Sequence, residues 1–211
     1  MKRSLLSLFV LLGFSLNVQA ALVTADKAGG TVEKVTLSKT ATADIDGASQ
    51  ALQAVGAGLR AKKVVFVNVK VYVGELFVSS LENFKKTDAL SSLKDQKAVA
   101  IQLHFLRDVD SENVQKSFKE ALEANKVNTQ DSSIQQFLDA VIKGGEAKSG
   151  KALTILGAKS ADGGESVSYE TTSGNISQIK GSEGFIQNIF SIWLGKPSDD
   201  GVAKLKKEIL K

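Results

Sequence analysis

The chain has 211 residues, with 27 basic and 23 acidic side chains, no cysteine and one histidine. Without cysteine there are no disulfides and no thiolate metal centres, and a single imidazole removes the usual zinc, copper and iron–sulfur ligand sets. One proline and 18 glycines put the turns on glycine and leave no proline-rich linker.

Residues 1–20 have the pattern of a secretory signal. Lys2 and Arg3 precede an apolar run from Leu5 to Leu16, too short for a comfortable membrane span, and Val18-Gln19-Ala20 supplies a small-x-small cleavage site. An uncleaved N-terminal anchor is the competing reading. Cleavage would remove two basic residues and no acid, leaving 191 residues with 25 basic against 23 acidic. That length suits one domain with its own core. The near-balanced charge argues against a nucleic-acid or anionic-membrane partner. The expected location is periplasmic or secreted, with no stable membrane insertion after cleavage.

Residues 21–30 are small and polar and read as a loose leader, so the folded domain is expected over 31–211. Thr31–Leu37 and Thr40–Asp44 alternate and predict two short strands. Ser49–Val55 fits either a helical turn or a brief strand. Gly56-Ala57-Gly58 then reads as a turn that presents Arg60 and opens a long β-branched run to Val78. On one strand, Val65, Val67, Val69, Val71 and Val73 would share an apolar face, with Phe66, Asn68, Lys70, Tyr72 and Gly74 on the other.

Leu81–Lys94 is helical or irregular, and Lys97–Leu106 alternates as a strand. Asp108–Asn125 predicts a helix, capped by Asp110 or Ser111 and buried along Val114, Phe118, Ala121 and Leu122. A second helix starts at Ser132 or Ser133 and ends at Gly144-Gly145. Lys151–Leu156, Ser166–Thr172 and Ile176–Lys180 predict a meander. The nearly all-apolar Glu183–Leu194 should be a buried helix, and Ser198 should cap a last one carrying Val202, Leu205 and Ile209 inward. This order gives an α+β fold, a mainly antiparallel sheet with helices on one face.

Few motifs carry chemistry. Gly145–Lys151 approaches a phosphate-binding loop, but Ala152 replaces the magnesium-holding hydroxyl and the segment runs from helix to strand, the reverse of the required order. Asp44-Ile45-Asp46-Gly47 lacks the remaining ligands of a calcium loop. His104 has no nucleophile motif to accompany it and reads as structural or surface. Arg60 is the more informative residue, because a guanidinium offers a planar fork to a carboxylate. Its alternatives are a surface position or pairing with an internal acid such as Glu75.

Four segments in order resemble the chalcone isomerase-like family, and its exported bacterial members in particular: Gly56–Arg60, Lys70–Gly74 with Leu76, His104–Val109 and Phe190–Gly195. The resemblance runs from about Gly47 to the C-terminus. It implies an open-faced β-sandwich, a large antiparallel sheet with helices layered on one side and a cleft between, and it tips Ser49–Val55 towards strand. The plant isomerases of the family use an arginine at the glycine turn, which Arg60 matches. They also use a threonine on the long strand, a tyrosine, lysine and asparagine on the following helix, and a threonine–methionine pair near the C-terminal glycine. Here Val67 stands at the threonine position, the helix has no tyrosine, and Ile192 and Trp193 occupy the pair. Fatty-acid-binding members hold a carboxylate with an arginine and a tyrosine of this region, which makes Arg60 and Tyr72 the candidates.

The resemblance therefore implies a non-catalytic, exported module that binds a fatty acid or similar apolar acid without cofactor or metal. A lyase or isomerase on another substrate and a protein-interaction module are the alternatives. Oligomeric state is open.

Overall fold

Eight antiparallel strands form one curled sheet, described with the rest of the fold by a computed structural model over residues 21–211. The signal-like segment 1–20 lies outside the described residues. In chain order the strands are β1 (Val23–Ala25), β2 (Thr31–Val32), β3 (Val35–Thr36), β4 (Thr40–Ile45), β5 (Ala48–Val64), β6 (Val67–Val78) and β7 (Ala98–Phe105). Helices α1 (Ser111–Ala124) and α2 (Ser132–Lys143) follow, then β8 (Ala152–Lys159), β9 (Glu165–Glu170) and β10 (Ile176–Gly181), and last α3 (Phe185–Leu194) and α4 (Asp200–Ile209). The sheet order is β1-β4-β5-β6-β7-β8-β9-β10, while β2 and β3 pair only with each other. The α+β expectation with a large antiparallel sheet is met.

The two faces of the sheet are buried differently. Odd-numbered residues of β7 (Val99, Ile101, Leu103, Phe105) pack with the apolar stripes of the four helices in the larger core. The opposite face carries a smaller core of Ala98, Ala100, Phe77, Leu156 and the N-terminal Leu22 and Val23. Strands lie about 4.8 Å apart, so the six spacings from β1 to β9 would span roughly 29 Å in a flat sheet. Yet the Leu22 amide donates to Glu170 Oε2 at 3.2 Å, from the residue before β1 to the last of β9. Curling closes that gap, and this is why a sheet with helices on one face is apolar on both.

Several local expectations are corrected. The leader is tied down: Val23, Thr24 and Ala25 pair with Ala43, Thr42 and Ala41. Asp26 holds the following loop by accepting from the amides of Ala28, Lys39 and Thr40. Thr31–Leu37 is a small hairpin, because Glu33 and Lys34 both take positive φ and turn the chain. The Gly56-Ala57-Gly58 segment is no turn. It lies inside β5, where α4 crosses so closely that a Cβ on Gly56 would meet the Ile209 carbonyl and one on Gly58 would meet Glu208 and the Leu205 carbonyl. The glycines serve helix-on-strand contact. The long valine run breaks instead at Val65-Phe66, so the expected valine face does not exist as one surface: Val73 is fully buried, while Val65 and Val67 are 76% and 64% exposed. The caps of α2 and α4 are Asp131, which precedes the serines favoured by the sequence, and Asp199, which follows Ser198.

A cleft between the β5–β6 hairpin and α1

The β5–β6 hairpin outgrows its neighbours. Pairing with β7 begins at Tyr72↔Phe105, and β4 meets β5 only as far as Gln53. Between the free part of this hairpin and the first turns of α1 lies a cleft of about 320 Å³. Val64, Val69, Val71, Phe105, Val114 and Phe118 give it apolar walls, and Arg60, Lys62, Tyr72 and Arg107 bring polar groups to it.

Arg60 and Tyr72 are directly opposite each other on adjacent strands and so share a face. Between Arg60↔Tyr72 and Ala61↔Lys70 the register slips, which leaves Val71 as the extra residue of a bulge. A bulge re-aims the side chains beside it, and here Val71 and Val69 both reach the cleft. Arg60 is 4% exposed. Its Nη2 donates to Asp199 Oδ2 at 2.5 Å and its Nη1 to the Ala61 carbonyl. Asp199 uses its other oxygen to cap α4, accepting from the Val202 amide at 2.9 Å. Gly201 makes room for this arrangement, since a Cβ there would collide with Arg60 Nη1 and the Ala61 carbonyl. The internal partner of the arginine is thus Asp199, not Glu75.

Tyr72 is 8% exposed, and its hydroxyl accepts from Trp193 Nε1 at 3.1 Å. Burial pushes its pKa up, a shift that the Arg60 charge and the Trp193 hydrogen bond only partly offset, so the phenol keeps its proton at neutral pH. That proton is left to donate. The ring packs on Phe105 at 5.5 Å between centroids, and Trp193 stands edge-on to Phe118 at 5.3 Å. An aromatic floor thus lies under the polar end.

The acids of the rim are already engaged. Asp108 accepts from the Ser149 amide at 2.8 Å, which together with Lys148 holds its pKa below the ordinary value. Asp110 caps α1 through the Asn113 amide, which lowers its pKa too. Arg107 is exposed and forms none of the ion pairs found among the described residues. Chemically, the cleft is an apolar slot whose polar rim offers cationic and hydroxyl donors.

Val67 does not line the cleft but sits at the hairpin tip, so Val69 and Val71 face the space that it was expected to face. None of the three carries a hydroxyl. Trp193 acts through Tyr72, and Ile192 is buried in the main core. His104 and Glu75 are on the opposite face of the sheet, with Nε2 and Oε2 3.6 Å apart. They take no part in the cleft. The sequence reading missed Asp199, Gly201, Trp193 as a partner of Tyr72, and Arg107. Asp199 is 139 residues from Arg60, and no local pattern announces such a pairing. Among the described residues no cluster of three or more His, Asp or Glu could hold a metal ion, and no helix is long and apolar enough to cross a membrane.

A curled antiparallel sheet backed by helices, with a cleft between a long hairpin and the first helix, defines an α+β sheet-and-helix fold. The chalcone isomerase-like family model matches residues 29–211. The chain belongs to the chalcone isomerase-like family. A search of curated proteins returned no match.

Proposed function

We propose that the protein is an exported, non-catalytic member of its family that holds a fatty acid or similar apolar carboxylate in the cleft. The observation that carries this reading is the joining of one apolar slot to Arg60 and Tyr72. A volume of about 320 Å³ lies at the lower end of the range for small-molecule sites, about 300–1,000 Å³. An alkyl chain would lie against Val69, Val71, Val114 and Phe118. Its carboxylate would take the Tyr72 proton and guanidinium donors that Asp199 and Ala61 leave over, with Arg107 at the mouth. The absence of hydroxyls at Val67, Val69 and Val71 and of a tyrosine on α1 removes the groups that the plant isomerases use, which supports binding over ring closure. The signal-like residues 1–20 support export to the periplasm or beyond.

The test is calorimetric titration with oleate and with its methyl ester. Binding of oleate, weakened for the ester and for Tyr72→Phe, is the expected result. Equal affinity for acid and ester would remove the carboxylate from the proposal, and no binding of either would remove the ligand. Incubation with chalcone should give no flavanone.

A further inference from the structure

We propose that the tip of the β5–β6 hairpin docks the protein on an anionic lipid surface. Large exposed apolar residues are normally scattered singly. Here Val64, Val65, Phe66 and Val67 are consecutive, with Phe66 93% exposed. They cap the ribbon Ala61–Lys70, which pairs only with itself and stands clear of β4 and β7.

The tip is also poorly chosen as a turn. Two-residue hairpin turns favour Asn-Gly, Asp-Gly or glycine first, because positive φ is needed. Val65 takes φ of 55°, a conformation that a β-branched residue adopts only under strain. By contrast, the β2–β3 turn is made of Glu33 and Lys34. The sequence at the tip serves neither local conformation nor contact with water, and an apolar medium accounts for both costs.

Charge identifies that medium. Lys62 and Lys63 stand directly behind the four apolar residues, Lys70 follows one step further down the other strand, and no acid occurs from Ala61 to Val71. Glu33 meets Lys70 at 2.6 Å, while Lys62 and Lys63 form none of the ion pairs found among the described residues. An apolar point with a basic collar matches acyl chains under anionic headgroups, where lysine stems reach back to the phosphate level. The near-balanced charge of the whole chain argues against attraction by the molecule as a whole, but screening confines the relevant field to about 8–10 Å, so the tip acts through its own lysines. A protein partner fits less well. Stable protein interfaces engage about 20–30 residues a side, and this is a convex point of four.

Val64, Val69 and Lys62 of the same hairpin also line the cleft, so docking would bring the cleft mouth to the membrane and let an apolar acid pass between the two. That extension rests on the ligand reading; the docking does not.

The experiment is co-sedimentation of the purified chain with vesicles of phosphatidylglycerol and phosphatidylcholine in equal parts, and with phosphatidylcholine alone. Binding to the anionic vesicles is expected, reduced by salt and weakened roughly tenfold by Phe66→Asp or by Lys62→Glu with Lys63→Glu. Residues 1–20 are common to all these chains, so a second measurement reads the tip alone. Emission of Phe66→Trp should be quenched by lipids brominated along the acyl chain, above the background of buried Trp193. Equal vesicle binding by wild type and Phe66→Asp, or no added quenching, would overturn the proposal. So would tip-dependent self-association in sedimentation velocity without vesicle binding, which would assign the tip to a second copy. Oleate titration of Phe66→Asp in solution separates the two readings, since Phe66 does not line the cleft and its loss should leave that binding intact.

Discussion

Arg60 Nη2 and Asp199 Oδ2 lie 2.5 Å apart, joining the C-terminal part of β5 to the N-cap of the last helix. The arginine is almost wholly buried and the aspartate side chain is 43% exposed, so the partners are unequal. Removing the acid leaves a buried guanidinium uncompensated, whereas removing the base leaves a carboxylate that water can still reach. Asp199→Ala should therefore cost about 3 kcal/mol, the lost helix cap supplying about 1 of it. Arg60→Met should cost less, and the double variant should be more stable than Asp199→Ala alone. Urea unfolding of the three proteins measures the coupling. Additive losses would mean that the pair contributes nothing.

Tyr72 and Trp193 form a second long-range link, and the chain has only one tryptophan. Tyr72→Phe removes the acceptor of a buried indole N–H, a loss of about 1–2 kcal/mol. Trp193→Phe removes the donor, and the two effects should fall short of adding. Because Trp193 is the sole indole, its emission maximum should shift on Tyr72→Phe. If the cleft takes an apolar acid, the same emission should change on adding oleate. An unchanged spectrum with Tyr72→Phe would show that the hydrogen bond is not made in solution.

Strand and helix order could be read because each element carries its own periodicity. Val114, Phe118, Ala121 and Leu122 of α1 are buried as their spacing predicts. The breaks were harder. Gly56 and Gly58 read as turn residues in the sequence, since glycine serves both for φ freedom and for close approach, and only the position of α4 tells these apart. The valine run reads as one continuous strand because the turn at Val65-Phe66 contains none of the usual turn residues. Arg60 and Tyr72 are legible as a pair through the resemblance, and the register sets them side by side. What surrounds them comes from residues 107–118, 193 and 199–201, far off in the chain, where tertiary packing alone brings them near.

The N-terminal tie has a pH signature. Asp26 accepts from the amides of Ala28, Lys39 and Thr40 and from the Thr40 hydroxyl, at 2.9–3.0 Å. These donors, the Ala28 amide first, lower its pKa from 3.8 to about 2. A folded pKa below the unfolded one gives stability that is fully present above the ordinary carboxylate value and is lost as pH falls towards the folded value. Asp26→Ala should therefore lower the melting temperature by a constant amount at pH 5–7 (roughly, by the same linkage). The gap from wild type should narrow between 3.8 and about 2. The other aspartates with lowered pKa are common to both proteins and cancel. A gap that is flat through this window would mean that the carboxylate makes no charge-dependent contact.

The hairpin tip allows a crossed test, because its two peculiarities pull in opposite directions. Val65 at φ of 55° is strained where glycine would be relaxed, and its side chain is 76% exposed, so little packing is lost on removing it. Val65→Gly should raise stability by up to about 1 kcal/mol through relief of strain, less the extra freedom that glycine gives the unfolded chain. Most exposed apolar substitutions leave stability within about 0.5 kcal/mol, so a gain would point to the backbone. The same substitution removes apolar surface from the tip and should weaken binding to anionic vesicles. A more stable protein that binds membranes less well is the outcome expected if the valine is kept for its side chain at the expense of its backbone. A variant that gains stability with vesicle binding unchanged would leave the strain at Val65 without a function.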